Sequence, residues 1–223
     1  MLEPLAKVTG LPEMQRKGMG HNLNMRAAAM KYAKEHNKPY SDISVIVAHL
    51  GGGITLSLHH KGQIVDMISD DEGPFSPERA GGLPAFQVID MATREGMGKK
   101  AMMKKVKTQG GLMGYFGVND TRIVEKMMMD GDEKAKLIYD AMALNVARKI
   151  GEEAATVAGD IEAIILTGGI AYSEYFTNEV KKNAEWIAPV IVYPGENEME
   201  SLALGGLRVL RGQEEAHEFV RTE

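Results

Sequence analysis

Apolar residues along this chain fall into two patterns: short, nearly unbroken runs, and stripes in which apolar positions recur at spacings of three and four. The short runs predict β-strands at 43–49, 54–60, 63–69, 162–167 and 189–193. The stripes predict helices at 22–35, 85–95, 99–107, 120–130, 134–158, 173–185 and 198–211. Three strands therefore come first, and the later strands alternate with helices.

The order of these elements predicts an α/β fold with a mixed sheet. His60-Lys61-Gly62 is typical of a tight hairpin, so the first three strands should form an antiparallel meander. Strands that alternate with helices pair in parallel. A three-stranded antiparallel meander followed by parallel βα units resembles a ribonuclease-H-like lobe, the building block of the actin-like ATPase superfamily.

The longest predicted helix carries one apolar stripe. Its members are Leu137, Ala141, Leu144, Ala147, Ile150, Ala154 and Val157. Because they recur at spacings of three and four, they predict the face of the helix that packs on the sheet.

Two strands end in glycine-rich turns, and this is the strongest functional signal. Ile164-Ile165-Leu166-Thr167 runs into Gly168-Gly169, and Val45-Ile46-Val47-Ala48-His49-Leu50 runs into Gly51-Gly52-Gly53. Glycine permits positive φ angles and lets a ligand approach the bare backbone. Such a turn before a helix suits a nucleotide, and two of them favour that interpretation more strongly than one.

Composition and charge narrow the class of protein. The net charge is −5, which argues against a nucleic-acid partner. The absence of cysteine excludes disulfides, thiol catalysis and Cys-ligated metals. No apolar stretch reaches about 18 residues, so we expect a cytoplasmic protein without a membrane span. The clusters Met102-Met103 and Met127-Met128-Met129 favour core filling or a partner surface over a metal site.

Two common nucleotide motifs are missing from the sequence. It contains no Gly-x-x-x-x-Gly-Lys-Ser/Thr motif, and no Gly-x-Gly-x-x-Gly follows a predicted strand. The chain is therefore not expected to be a P-loop enzyme, and dinucleotide binding has no support from the sequence. A Gly- and Pro-rich loop at 70–84 is long enough to be functional.

Five segments of the chain, in order, resemble the acetokinase family of acetate and butyrate kinases. They are His21-Asn22-Leu23-Asn24, His49-Leu50-Gly51-Gly52-Gly53, Asn119-Asp120-Thr121-Arg122, Gly168-Gly169-Ile170 and Asn197-Glu198. The loop Gly73-Pro74-Phe75-Ser76-Pro77-Glu78-Arg79-Ala80-Gly81-Gly82-Leu83-Pro84 discriminates within the family. It resembles the pattern of butyrate and branched-chain fatty acid kinases, whereas acetate kinases have Gly-Thr-Arg-x-Gly-Asp-x-Asp-Pro.

The resemblance implies a role for each matching residue. Arg79, His21 and His49 would be catalytic, and Glu198 would help to place Mg²⁺. The nucleotide, ATP or ADP, would contact His49, Leu50, Gly51, Gly52, Gly53, Asp120, Thr121, Arg122, Gly168, Gly169, Ile170, Ala171 and Tyr172.

Taken without the resemblance, the same residue types have simpler explanations. Arg79 is equally consistent with a surface ion pair, and Asp120 and Arg122 with a helix cap and an exposed base. Glu198 suits a helix N-terminus electrostatically, and Asn197 could cap that helix. Lone histidines are usually structural, and the four histidines outside the motifs are expected at the surface: His36, His59, His60 and His217.

The activity implied by the resemblance is reversible phosphoryl transfer from ATP to butyrate, giving butyryl phosphate and ADP. The same family includes kinases of acetate, propionate and branched-chain acids, and these remain alternatives. A third possibility, from another class, is a nucleotide-binding module without catalysis. The implied partners are a small carboxylate and a nucleotide, and the implied assembly is a homodimer formed through the C-terminal lobe.

The match also predicts how the chain is organised. Residues 1–20 resemble the end of an N-terminal lobe, and 21–223 resemble the whole C-terminal, nucleotide-binding lobe. The family's first phosphate loop, which belongs to the N-terminal lobe, has no counterpart here. Since a cleft enzyme needs both walls to exclude water and clamp its substrates, we expect this chain alone to be inactive.

Overall fold

A mixed five-stranded sheet forms the centre of the computed structural model, which describes residues 2–94, 97–195, 198–212 and 215–216, without the side chains of 198–202 and 204. Its strands are β1 (Ser44–Leu50), β2 (Ile54–His60), β3 (Gln63–Ile68), β4 (Ala163–Gly168) and β5 (Val190–Pro194). They lie in the order β3-β2-β1-β4-β5. The first three pair antiparallel, and β4 pairs in parallel with both β1 and β5. The predicted meander and parallel βα units are confirmed.

Helices flank the sheet and connect its strands. They are α1 (Pro4–Lys7), α2 (Asn22–Glu35), α3 (Ala85–Thr93), α4 (Lys99–Thr108), α5 (Gly111–Phe116), α6 (Thr121–Met129), α7 (Glu133–Thr156), α8 (Glu174–Ala184) and α9 (Glu198–Leu210). The sequence pattern did not predict α1 and α5, which are four and six residues long. Segments this short hold too few positions to show a helical period.

The hairpin between β2 and β3 forms at the predicted residues. Lys61 and Gly62 both adopt positive φ angles, 49° and 84°. Two consecutive left-handed residues make the turn whose twist matches that of the paired strands.

Side chains alternate across β1, so its two faces support different layers. Ile46, Ala48 and Leu50 point into a core shared with α7 and α8. Val45 and Val47 point the other way, into a core shared with α2. His49 follows the second set in register, which places it on the α2 face.

The predicted stripe of the longest helix is wrong in part. Leu137 is 66% exposed and Leu144 is 45% exposed, although Ala147, Ile150 and Ala154 are buried as predicted. The buried face also contains Tyr139, Met142, Ala143, Val146 and Glu153. On a helix this rich in alanine and leucine, spacings of three and four can be drawn along more than one side. Packing against α6, α8 and the sheet selects the side that is buried.

The expectation that His59 lies at the surface is also wrong. His59 is fully buried on β2, where its ring nitrogens are 2.6 Å from the Tyr40 hydroxyl and 2.9 Å from the Ser57 hydroxyl. Burial, followed by the charge of Arg26, lowers the pKa of His59 to about 3. Of the other three histidines, His36 and His60 are wholly or partly exposed, and His217 lies outside the described residues.

Residues 2–20 run beside β3. The Glu3 amide donates to the Val65 carbonyl at 3.1 Å. The Arg16 guanidinium bonds to Asp66 at 2.9 Å and to Glu72 at 3.0 Å. These bonds attach the segment to the outer strand of the sheet. In the part of the chain that the structure describes, no helix is long and apolar enough to cross a membrane.

Candidate nucleotide site

The two glycine-rich turns lie side by side because β1 and β4 are parallel neighbours. His49 pairs with Thr167 in the strand register, so both strands end at the same edge of the sheet. Gly168 has a φ of 94°, and a Cβ atom there would stand 2.5 Å from the Leu50 carbonyl oxygen. A side chain at Gly168 would therefore be both strained and crowded.

A cavity of about 680 Å³ opens at this edge. Its walls come from the turn after β1, the loop before α3, the start of α6 and the turn after β4. The lining residues are Gly51, Gly52, Pro77, Glu78, Asn119, Asp120, Thr121, Arg122, Glu125, Gly169, Ile170, Tyr172 and Ser173. This volume is in the range of small-molecule sites.

The cavity brings together residues predicted from three distant segments. The predicted nucleotide contacts that line it are Gly51, Gly52, Asp120, Thr121, Arg122, Gly169, Ile170 and Tyr172. The predicted residues outside the lining are His49, Leu50, Gly53, Gly168 and Ala171. All five of the latter are buried, so they support the turns from behind.

Asp120 and Arg122 form the start of α6 as well as part of the pocket wall. The Asp120 carboxylate accepts from the Arg122 amide at 3.0 Å and pairs with its guanidinium at 2.7 Å. These bonds lower the pKa of Asp120. The Arg122 side chain is 87% exposed. Asp120 is therefore a helix cap and Arg122 an exposed base, as the simpler explanation states. Both roles are compatible with contact to a ligand.

Arg79 lies directly over the first glycine turn. A Cβ atom on Gly53 would stand 2.5 Å from Nη1 of Arg79. The same nitrogen donates to the Asp70 carboxylate. The Ser76 hydroxyl donates to the Gly52 carbonyl at 2.7 Å and accepts from the Arg79 amide at 3.2 Å. The loop is therefore bonded to the turn, and the guanidinium is held beside it.

Helix α5 supports this loop from the other side. The Leu112 amide donates to the Ser76 carbonyl at 3.3 Å, and the Met113 amide donates to the Pro77 carbonyl at 2.8 Å. Gly111 has a φ of 56°, and a Cβ there would be 1.6 Å from the Ser76 carbonyl oxygen. The sequence pattern did not predict this helix, although its glycine is essential to the close approach.

His21 and His49 stack on each other on the α2 face. Their ring centroids are 3.9 Å apart and the planes differ by 18°. Nδ1 of His21 is 3.0 Å from the Thr55 hydroxyl. Burial, followed by repulsion from His21, lowers the pKa of His49 to about 3. His49 is therefore neutral near pH 7.

Five residues of the pocket lining are absent from the predicted ligand contacts: Pro77, Glu78, Asn119, Glu125 and Ser173. Glu78 accepts from the Asn119 amide group at 2.6 Å, which links the Arg79 loop to the start of α6. Glu125 accepts from the Tyr139 hydroxyl at 2.6 Å. Ser173 caps α8 by accepting from the Phe176 amide at 3.0 Å. One signal was available for Glu125, because it lies one helical turn after Thr121.

The donors near the turns fit a magnesium ion held mainly by phosphate oxygens and water. Glu198, the predicted ligand, begins α9, but its side chain and all of Asn197 lie outside the described part of the chain. The carboxyl carbon of Glu78 would be 3.9 Å from a Cβ on Gly52, so one carboxylate stands beside the first turn. Within the described residues, no cluster of three or more metal-binding side chains occurs. Mg²⁺ bound with a nucleotide needs only one or two carboxylates.

Solved structures of acyl kinases resemble this fold over almost all of the chain. The acetate kinase of Porphyromonas gingivalis aligns with a TM-score of 0.86 at 19% identity, covering 94% of this chain and 61% of that one. The acetate kinase of Entamoeba histolytica aligns at 0.80 and 16% identity, covering 92% and 63%. The propionate kinase of Francisella tularensis aligns at 0.80 and 19% identity, covering 91% and 60%. This chain thus spans about three fifths of their length.

A ROK family protein from Streptococcus pneumoniae shares the fold more distantly, with a TM-score of 0.53 at 13% identity, covering 86% of this chain and 66% of that one. The predicted actin-like ATPase fold is confirmed. The family model described as the acetokinase family matches residues 14–185. That span is more than three quarters of the chain, and the protein therefore belongs to the acetokinase family.

Proposed function

We propose that this chain is the nucleotide-binding lobe of a kinase that transfers a phosphoryl group from ATP to a short-chain carboxylate, with butyrate as the preferred acceptor. The observation that carries the proposal is the meeting of three segments at one pocket. The turn after β1, the turn after β4 and the Arg79 loop come from distant parts of the chain. A phosphoryl-transfer site needs backbone donors and a fixed cation at one place.

The reaction would join a carboxylate oxygen of the acid to the γ-phosphorus of ATP. The bond between that phosphorus and the bridging oxygen breaks, and ADP leaves with the electron pair. Arg79 would neutralise charge on the equatorial phosphoryl oxygens, because a guanidinium stays charged and can bind two oxygens together. Its position over Gly53 supports this role.

The histidine pair would act beside Arg79. His49 is almost fully buried, whereas His21 is partly exposed. We therefore assign direct contact with the transferred group to His21 and assign His49 to holding the His21 ring. Bound Mg²⁺ would supply further charge neutralisation at the phosphates, with Glu78 and Glu198 as the carboxylates that could hold it through water.

The preference for butyrate rests on the loop that carries Arg79. Its Gly-Pro-Phe-Ser-Pro-Glu-Arg pattern resembles that of butyrate and branched-chain fatty acid kinases. The solved structures named above are of acetate and propionate kinases, so the acyl chain length is the finer part of the proposal.

We propose the same domain organisation that the sequence suggested. Residues 21–223 would form the nucleotide-binding lobe, residues 1–20 would lead into it, and a second lobe would complete the acyl pocket. We also propose that two copies pair through this lobe. Helix α3 supports the pairing, because none of its residues is buried, with Phe86 85% exposed and Ile89 58% exposed.

An acyl hydroxamate assay with ATP tests the activity. Butyrate, acetate and isobutyrate would be compared on the 223-residue chain and on a form extended by a complete first lobe. We expect activity only in the extended form, highest with butyrate. Arg79→Lys keeps the charge but not the planar fork, and should lower kcat by about 100-fold or more. Equal activity of that variant would contradict the role of Arg79.

A nucleotide-binding module without catalysis is the second candidate. One observation favours it, namely that the glycine turns and the start of α6 form a cavity within this chain. Binding of ADP by both forms, with no hydroxamate from any acid, would select this candidate.

A further inference from the structure

Glu125 is a pocket residue whose orientation is set by a buried partner. Its Oε1 accepts from the Tyr139 hydroxyl at 2.6 Å. Tyr139 is fully buried and packs against Phe176, with ring centroids 5.2 Å apart. Burial, together with the bond to Glu125, raises the pKa of Tyr139, so the hydroxyl remains a donor. The Glu125 carboxylate is therefore held before any ligand arrives.

Glu125 also differs from the other two carboxylates of the pocket. Both oxygens of Asp120 are bonded to Arg122. Glu78 bonds to Asn119 and stands beside Gly52, at the phosphate turn. Among the described residues, only Tyr139 bonds to Glu125, and it occupies one of the two oxygens. The second oxygen remains as an acceptor within the pocket wall.

The charges of the pocket determine which part of a nucleotide meets α6. Arg79 places a cation at the first glycine turn, where phosphates would bind, although Glu78 stands there as well. On α6 the charge of Asp120 is offset by Arg122, and the carboxylate of Glu125 would repel phosphates. The flat base needs an apolar wall, which Ile170 and Tyr172 provide on the turn after β4. The sugar is left to face α6. Its hydroxyls are donors, and a carboxylate is the strongest acceptor a side chain can offer them.

We propose that Glu125 accepts a hydrogen bond from a ribose hydroxyl and makes this pocket selective for ribonucleotides over deoxyribonucleotides. The inference rests on the proposed nucleotide site and adds a specificity-determining residue to it. It would hold for a kinase and for a non-catalytic module alike.

Calorimetric titration of the whole chain tests the proposal. ADP, 2′-deoxy-ADP, 3′-deoxy-ADP and inosine diphosphate would be compared. For the wild type we expect at least one deoxy analogue to bind about tenfold more weakly than ADP. Glu125→Gln should reduce that ratio to about threefold or less. Asp130→Asn also removes one negative charge from the end of α6, outside the pocket lining, and should leave the ratio unchanged.

Tyr139→Phe is the second variant, and it tests the role of Glu125 independently if Glu125→Gln folds poorly. It leaves the carboxylate in place but removes the hydrogen bond that orients it. The ratio between the dissociation constants of the deoxy analogue and ADP should therefore fall only in part. A purely structural Glu125 would instead lower the melting temperature of Glu125→Gln without changing the ratio, and that result would overturn the proposal.

Two further outcomes would also count against it. Equal binding of ADP and both deoxy analogues, or weak binding of inosine diphosphate alone, would show that Glu125 does not bind the ribose. If ADP itself fails to bind the wild type, the proposed nucleotide site is wrong. That outcome is distinct from ADP and its deoxy analogues binding equally well.

Discussion

The two ends of the pocket are built from different chemical groups, main chain at one end and side chains at the other. The glycine end, Gly51–Gly53 with Gly168–Gly169, is backbone held by paired strands. The α6 end, Asp120–Arg122 with Glu125, consists of side chains on a partly exposed helix. At the first end a methyl group added to Gly168 would enter the main chain of the neighbouring strand β1. At the second end a substitution mainly changes what the wall can bind.

Burial follows the same division. His49, behind the glycine end, is 1% exposed, whereas the Arg122 side chain at the α6 end is 87% exposed. Interactions in the first region are hardly screened by water, and those in the second are largely screened. Substitutions should therefore affect folding at the glycine end and mainly ligand preference at the α6 end.

The largest effect is expected for Gly168→Ala. The φ of 94° is unfavourable for alanine, and the new Cβ would lie 2.5 Å from the Leu50 carbonyl oxygen. The free energy of unfolding should fall by about 3 kcal/mol or more, as measured by urea denaturation. Gly169→Ala is the control, since nothing lies within 4 Å of a Cβ there, and it should cost less than about 1 kcal/mol. Similar losses in both variants would show that the close approach of Gly168 to Leu50 does not determine the cost of the substitution.

A pH dependence of stability is the next largest effect. The unfolded chain can protonate His49 below about pH 6.5, whereas the folded chain resists protonation down to about pH 3. The stabilisation is thus present above pH 6.5 and is lost as the pH falls below it. Relative to wild type, His49→Asn should remove about 1.4 kcal/mol per pH unit from the slope of unfolding free energy between pH 6 and 5.

Two comparisons make this slope interpretable. His59→Asn should change it by a similar amount, because His59 is also buried and its pKa is also about 3. The signal then reports burial and not catalysis. Glu153 acts in the opposite sense, since burial raises the pKa of its carboxyl, so each variant must be read as a difference from wild type. A slope that stays the same in His49→Asn would contradict the pKa shift.

The smallest effects are expected at the α6 end. Asp120→Ala removes the cap of α6 together with its ion pair, and should lower the melting temperature by about 2–4 °C. Arg122→Ala removes the ion pair but leaves the cap, and should shift it by less than about 1 °C. Differential scanning calorimetry separates the two. An equal or larger shift for Arg122→Ala would mean that the ion pair, and not the cap, stabilises the start of α6.

Most of the fold could be predicted because its signals are local. The apolar runs of β1, β2 and β4 and the hairpin at Lys61-Gly62 were identified within one residue of their ends. The side of α7 that is buried could not be predicted, because Leu137 and Tyr139 are both apolar enough to be buried and distant helices decide between them.

The candidate site divides in the same way. Three of its segments were identified from glycine spacing and from the family motifs, and the structure brings them to one pocket. Their roles in binding and catalysis stay predictions. Glu125 and the α5 support were missed, because their importance depends on Tyr139 and Ser76, which are distant in sequence from them.

The sequence by itself determined the order of the elements, the two glycine turns and membership in the family pattern, since each depends on residues within a few positions of one another. Only the tertiary structure decided that Gly168 abuts Leu50, that His49 is buried on His21, that Arg79 lies over Gly53 and that Glu125 is held by Tyr139. These are contacts between segments far apart in the chain, and they arise only when strand pairing and helix packing bring the segments together.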